Sequence, residues 1–270
     1  MRALVLALLA CGSAVPTYAQ STAAPDLSGF RTFATWPDDA QVSVPGQATV
    51  SLSLSSWRWA FGHGMGLPGV FIGMGAAPHV QVSATLERDT SDYTDGTTLT
   101  TFGDTYVVAK VALVDPGTHR IGFAVSPLLQ VLGDDSLTYY RYYQSTNTSR
   151  VQWALPVHVQ VPVGRVQLSV SGGYFSVGSS FVAGMVEASV NSHLSVNGTI
   201  SQAYSHNTSA LADTVVAVSR HRSDVSGGLS LIATPSVFVF GSVGRTISAT
   251  NQNSMTLSAN LGIALILGKK

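Results

Sequence analysis

The sequence predicts an all-β fold: a single antiparallel up-and-down barrel of about twelve strands over residues 48–270. Three observations lead there. Side chains alternate apolar and polar over runs of ten or more residues. Short and long connections take turns along the chain. Charged residues make up only 10% of the 270, far below the roughly 25% of an ordinary soluble domain. Period two is the mark of a strand with two chemically different faces.

The elements follow in order. Segment 48–59, ATVSLSLSSWRW, sets Val50, Leu52 and Leu54 against Thr49, Ser51, Ser53 and Ser55. A strand over 67–75 follows, then 79–89, where Val80, Val82, Ala84 and Leu86 oppose Gln81, Ser83, Thr85 and Glu87. Strands are predicted over 103–114, 119–132 and 150–162, and over 165–176, where Val166, Leu168 and Val170 oppose Gln167, Ser169 and Ser171. Next come 180–190 and 193–205; in the latter Leu194, Val196 and Ile200 oppose Ser195, Asn197, Thr199 and Ser201. Segment 213–233 is too long for one strand, so part of it is expected outside the sheet. Strands 236–248 and 254–267 complete the set. The short connections are 76–78, 115–118, 163–164, 191–192 and 234–235; the longer ones are 60–66, 90–102, 133–149, 206–212 and 249–253. The short turn at 177–179 breaks the alternation. No stretch carries a helical period, and no helix is predicted.

Alternation alone does not say which face is wet. Here the polar face is mostly Ser, Thr, Gln and Asn rather than Lys and Glu, which suits a confined lumen better than a soluble surface. The strands are about twice as long as the roughly five or six residues usual in soluble proteins, and match a tilted membrane crossing. Tight turns alternating with longer loops are also a membrane-barrel habit. In hydrocarbon an unpaired sheet edge is prohibitively costly, so the barrel must close, 48–59 against 254–267. Apolar side chains are then expected to face lipid and polar ones the interior. Trp57, Trp59, Phe61, Tyr174, Phe175, Phe181 and Tyr204 stand at strand ends, as an interfacial girdle requires.

The first nineteen residues read as a secretory signal: Arg2, an apolar stretch over 3–10, then Pro16, Thr17 and Ala19 before a cleavage point near Ala19. Cys11, the only cysteine, follows LLA in a loose likeness to a lipoprotein signal; ordinary cleavage near Ala19 is the preferred reading and leaves a mature chain without cysteine. Residues 20–47 are rich in Pro, Ser, Ala and Asp and read as an extended lead. Lys plus Arg and Asp plus Glu are 14 each, so nothing calls for a nucleic-acid partner. Mean hydropathy is +0.27, high for a chain without a spanning helix.

The pattern over 48–267 resembles the bacterial outer-membrane β-barrel class, porin-like or transporter-like. The resemblance implies the outer membrane of a Gram-negative bacterium, outer-membrane lipid and the barrel-assembly machinery as partners, and small solutes as cargo. It departs at the end of the chain, ALILGKK, where such barrels usually place an aromatic residue.

Chemical motifs are sparse. GMGLPG, Gly64 to Gly69, has the letters of a dinucleotide motif, but Pro68 and a following strand replace the required helix, so it reads as a glycine-rich hairpin loop. The seven histidines show no H-E-x-x-H spacing, and there is no G-x-S-x-G elbow. No catalytic residue, metal or cofactor is expected, and the chain is not read as an enzyme. Asp89, Asp92 and Asp95 fall in a solvated loop without calcium-loop order. Tyr139 to Tyr143, YYRYY, read as an exposed aromatic cluster. The candidate site residues are charges within strands: Glu87, Lys110, Arg120, His158, Glu187, His193, Arg220 and Arg222. All are expected to face the lumen, since a charge at mid-membrane on the lipid face costs roughly 2–4 kcal/mol. There they either set solute preference or pair to brace the wall. The expected function is a narrow channel or transporter. A barrel-anchored structural or adhesive protein, and a soluble secreted β protein that binds a ligand, stand as alternatives.

Overall fold

The structure, a computed structural model, describes residues 37–60, 62–116, 119–143, 147–207, 220–248 and 254–268. The strands are β1 (Ala48–Trp59), β2 (Gly62–Ala77), β3 (Val80–Tyr93), β4 (Thr98–Phe102), β5 (Thr105–Val114), β6 (Gly122–Val125), β7 (Leu128–Val131), β8 (Val151–Val163), β9 (Val166–Phe175), β10 (Ser179–Ser189), β11 (Leu194–Ser205), β12 (His221–Thr234), β13 (Val237–Thr246) and β14 (Met255–Leu267). One helix, α1 (Asp134–Tyr143), lies between β7 and β8.

These fourteen segments fill twelve positions of a closed antiparallel barrel. Segments β4 and β5 both pair with β3, at its two ends, and so act as one interrupted strand. Segments β6 and β7 both lie between β5 and β8, broken at Ser126–Pro127. Proline cannot donate to the ladder, which explains the interruption. The barrel closes where β1 meets β14, from Ala48↔Leu267 to Arg58↔Leu257. Strands β1 and β14 therefore bring residues 48 and 267 together at the end with the short turns. At one of these turns Gly164 has φ of +62°, a left-handed conformation that a residue with a Cβ resists.

The alternation seen in the sequence sorts as expected. Leu52, Ile200, Val243 and Leu261 point outward, each between 52% and 59% exposed, while Ser51, Ser55, Ser195 and Ser201 point inward and are buried. A one-residue slip would exchange the two sets, so the register is fixed by composition.

Four sequence expectations change. The stretch at 60–66 is not a loop: β2 starts at Gly62 and carries the glycines of GMGLPG on its inner face. A Cβ on Gly64 would stand 2.3 Å from the Trp57 ring, and one on Gly66 would overlap the Glu87 carboxylate. Glycine is required there because neighbouring strands lay large side chains flat across β2. The stretch at 90–102 is the continuation of a hairpin, β3 with β4, in which Asp92 accepts from Thr98 Oγ1 at 2.6 Å and lies 3.3 Å from His63. At its tip the backbone N–H of Thr97 bonds Asp95 and holds that carboxyl below its usual range. Segment 133–149 contains α1, so YYRYY is helical and Tyr140 is buried at 1% exposure. The ordered part of 213–233 begins with β12 at His221; residues 213–219 lie outside the described residues.

The girdle is also only partly as expected. Trp153 and Tyr174 are exposed on the outside, in a run of rings with His206, Tyr204 and His221 whose neighbouring centroids are 4.7–6.1 Å apart. Trp57, Phe175 and Phe181 instead point inward and are buried. Phe61 lies outside the described residues.

Candidate functional site

The lumen is divided lengthwise into a packed half and a water-accessible half. From β3 round to β10, nearly every inward side chain is buried. On β11–β14, β1 and β2, many inward side chains keep partial exposure, among them Asn197, Ser226, Phe238, Phe240, Asn260 and Phe71. The difference comes from two pieces of the chain that fold into the barrel.

The first is residues 37–47, the end of the extended lead. They run along the inside of the wall in the half nearer the short turns, as shown by their partners. The backbone N–H of Asp38 donates to Ser171 Oγ at 3.0 Å, and Ser171 donates back to the Asp38 carbonyl at 2.8 Å. The N–H of Ala40 reaches Gln160 Oε1 at 3.0 Å, and Ser43 donates twice to Gln81 Oε1, from N and Oγ, at 2.9 Å. An extended segment has no internal ladder, so its buried polar groups need partners from the wall. The Gln and Ser residues of β3, β8 and β9 supply them.

An ion-pair cluster fixes this segment. Lys110 Nζ lies 2.7 Å from Asp38 Oδ2 and 3.3 Å from Asp39 Oδ1, and donates to the Gln41 carbonyl at 3.0 Å. All three charged side chains are at most 13% exposed. Below them, His158 is wholly buried, with Nδ1 2.9 Å from Ser171 Oγ and Nε2 2.9 Å from Ser126 Oγ. Because the Ser171 proton goes to the Asp38 carbonyl, the Nδ1–H of His158 donates to Ser171. Its Nε2 is within hydrogen-bond distance of Ser126 Oγ. The imidazole brackets the wall under the segment.

The second piece is α1, which fills the half nearer the long loops. Asp134 and Asp135 in its first turn and Arg141 in its last suit the helix dipole. Arg150 grips Asp134 at 2.6 Å, and the Gly133 N–H donates to Asp104 at 2.9 Å. Leu137 and Tyr140, three residues apart on one face, join Tyr106, Val108, Leu128 and Phe181 in a buried apolar cluster. Burying each such side chain is worth about 1.5–3 kcal/mol.

The eight candidate residues divide accordingly. Glu87, Lys110, His158, Glu187 and Arg222 face inward, each 7% exposed or less. They are partnered: Glu87 with Ser55, Lys110 with Asp38 and Asp39, Glu187 with Ser195, and Arg222 with Asp224 at 2.7 Å. These charges brace the wall and the inserted segment. Arg220 immediately precedes β12 at the long-loop rim and is half-buried. Two placements need correction. Arg120 lies in the turn before β6, which starts only at Gly122, and is exposed. His193 lies in the turn before β11, bonded to Asn191 Oδ1 through its N–H at 2.8 Å, and is exposed. Alternation was extended one or two residues past the true strand starts. Sequence reasoning missed Asp38 and Asp39, whose only local signal is two adjacent acids after Pro37. It also missed the inward phenylalanines Phe71, Phe238 and Phe240. Among the described residues no group of three or more His, Cys, Asp or Glu is placed to hold a metal.

Solved structures that superpose on this chain include outer-membrane proteins. A COG4313 outer membrane channel from Pseudomonas putida F1 superposes with a TM-score of 0.63 at 10% identity, over 86% of this chain and 100% of its own. The NanC porin gives 0.55 at 10% identity, over 80% and 98%. The KdgM porin gives 0.50 at 10% identity, over 80% and 98%. At such identities the likeness is one of fold. No family model and no curated protein matches the sequence.

Proposed function

We propose that the chain is an outer-membrane channel for small solutes, narrowed by its own residues 37–47, and not an enzyme. The observation that carries this reading is the two-sided wall. The outside is a continuous apolar surface bearing Leu52, Ile200, Leu229 and Leu261, and the inside keeps a water-accessible polar half along β11–β14, β1 and β2. A soluble barrel would hold its charges outside; here the carboxylates of Asp39, Glu87, Asp89 and Glu187 are inside and buried. Charge bracing inside and hydrocarbon outside is the arrangement a bilayer demands. A twelve-strand cylinder is wider than the roughly eight strands that side chains alone can fill, and narrower than porins of about 16–18 strands. A filled half beside an open half suits slow passage of small molecules.

On this reading residues 1–19 are a signal removed near Ala19, residues 20–47 are the lead, and residues 48–270 the barrel. The barrel would be inserted into a Gram-negative outer membrane by the barrel-assembly machinery, with outer-membrane lipid around its apolar face. The short turns would then lie in the periplasm and α1 outside. The test is conductance of the purified mature protein in planar bilayers, beside cell fractionation and gels run with and without boiling. Small, regular current steps and a heat-modifiable band are expected. A protein that stays monodisperse in plain buffer, or one that gives a folded band and no current, refutes the channel.

A further inference from the structure

The water-accessible half of the lumen has a composition that its sequence positions do not advertise. It carries three phenylalanines. Register places Phe238 on β13, Ala264 on β14, Ser51 on β1 and Phe71 on β2 in one row across four strands. Adjacent strands are about 4.8 Å apart, so this row spans about 14 Å. Phe240, two residues along β13, leans over its neighbour: its Cζ stands 2.3 Å from where a Gly262 Cβ would be. Phe71 likewise lies over Gly73, with ring atoms 2.9 Å and 3.0 Å from a Cβ there. Gly262 and Gly73 lie beneath the rings of Phe240 and Phe71, and the row between Phe238 and Phe71 holds only Ala264 and Ser51. Two of the three rings therefore lie along the wall with Phe238 beside them, and all three stay partly exposed.

Beside the rings stand amides and hydroxyls. Asn197 reaches over Gly228, whose Cβ would lie 2.8 Å from its Oδ1, and Asn260, Ser226 and Ser242 face the same space. The described inward charges on this half are the pair Arg222–Asp224, toward the long-loop end, and the Glu87 carboxylate, which reaches from β3 over Gly66 of β2 to Ser55 of β1 and is buried there. The pair is closed on itself at 2.7 Å, and Asp224 also accepts from Thr246 at 2.7 Å. The remaining described inward charges are buried against the packed half or in a bond to Ser195.

We infer that this passage selects uncharged solutes that combine a flat apolar C–H face with hydroxyl groups, and that Phe71, Phe238 and Phe240 are the selecting residues. The inference rests on the channel reading. An aromatic face attracts a C–H surface and gives an anion no counter-charge. Neighbouring amides and hydroxyls exchange hydrogen bonds with sugar-like hydroxyls as these leave water. The fixed charges here, Arg222, Asp224 and Glu87, are buried and held in bonds to the wall, so a charged solute gains little from them and loses part of its hydration in a narrow space.

The experiment is swelling of liposomes containing the mature protein, with methyl β-glucoside, sorbitol, gluconate and glucosamine as probes of similar size, beside single-channel current. Methyl β-glucoside is expected to enter about two- to tenfold faster than sorbitol, which has the hydroxyls without the rigid face. Gluconate and glucosamine are expected to be slower still, with cation-to-anion permeability close to one. The triple variant Phe71→Leu, Phe238→Leu and Phe240→Leu keeps the bulk and is checked for its heat-modifiable band; it is expected to lose the glucoside-over-sorbitol preference. If the triple variant fails to fold, Phe240→Leu alone serves, with a partial loss expected. Faster entry of either charged probe, strong ion selectivity, or an unchanged ratio in the folded variant overturns the inference while leaving the channel standing. No current and no swelling with any probe overturns the channel itself, and the inference with it.

Discussion

Replacing Lys110 with Met tests whether the inserted segment is held by charge. The ammonium sits 2.7 Å from Asp38 and 3.3 Å from Asp39, and the three side chains are 7%, 13% and 3% exposed. Methionine has the length to fill the space, so packing changes little. What changes is that two buried carboxylates lose their counter-ion. Removing one partner of a buried pair costs about 3–5 kcal/mol, because the charge left behind is uncompensated. That cost falls on the docked state alone, since a released segment is hydrated. At about 1.4 kcal/mol per power of ten, the ratio of docked to released segment drops by roughly two to four powers of ten. The remaining anchors, among them Ser171, Gln160, Gln81, Gln167 and the backbone of Gly75, make neutral hydrogen bonds worth about 0.5–1.5 kcal/mol each and leave the stranded carboxylates without a counter-ion. Two readouts follow. Channel conductance should rise several-fold. A thiol introduced by Ala40→Cys, at a position with 0% exposure, should become reactive to a water-soluble maleimide. The triple variant Lys110→Met, Asp38→Asn, Asp39→Asn removes the stranded charge and should recover part of the protection, the non-additivity expected of a coupled site. If Lys110→Met conducts as the parent does and the thiol introduced at position 40 stays unreactive, the segment is not held by this pair.

Further outcomes are fixed by other features. Leu261→Arg puts a charge on the outward face at a position 59% exposed and should cost about 2–4 kcal/mol in refolding into liposomes, read from urea titration of the heat-modifiable band. Gly64→Val pushes a side chain into the Trp57 ring; it should cost about 1–3 kcal/mol and shift the tryptophan fluorescence, since the ring must leave its bed on β2. Tyr140→Ala empties a 1%-exposed site in the apolar cluster and should cost about 3–5 kcal/mol, with faster proteolysis of the loop carrying α1.

The wall was legible because each strand repeats its signal. Residues 48–59 match β1 at both ends, and 254–267 is within a residue of β14. Long alternation leaves little freedom in register, and the scarcity of Lys and Glu decided which face is outside. The filler was not legible, for three physical reasons. The segment at 37–47 is held by contacts such as Asp38 to Ser171, 133 residues apart, and several of its bonds use backbone N–H groups that leave no residue pattern. Helix α1 buries Leu137 and Tyr140 within one turn, too short for a helical period to stand out, and its tyrosines read equally well as rim residues. The glycines of β2 read as loop because glycine usually marks a turn. Here they are empty places under Trp57 and Glu87, a reason that lives in β1 and β3.

The same geometry explains why five of the charges that the alternation singles out are buried and bonded to the wall or the inserted segment. In a barrel that its own inward side chains filled, a strand charge would have to line the axis or pair across it. A twelve-strand barrel has room left over, and this chain fills half of it with polypeptide. That filler brings peptide groups and two aspartates away from bulk water, and each needs a partner on the wall. Charged and amide side chains such as Lys110, Gln81 and Gln160 are consequently drawn toward the filler, where Lys110 and Gln160 are buried and the lysine is paired with Asp38 and Asp39. The opposite wall meets the filler only near its short-turn end, as at Gly75 of β2, and has little such need elsewhere. Apart from the Arg222–Asp224 pair its inward positions are mostly Ser, Asn, Gly and Phe, and on the channel reading those residues meet whatever passes. On the channel reading, the charges buried against the filler mark where this lumen is packed, and the half bearing the phenylalanines marks the path open to a solute.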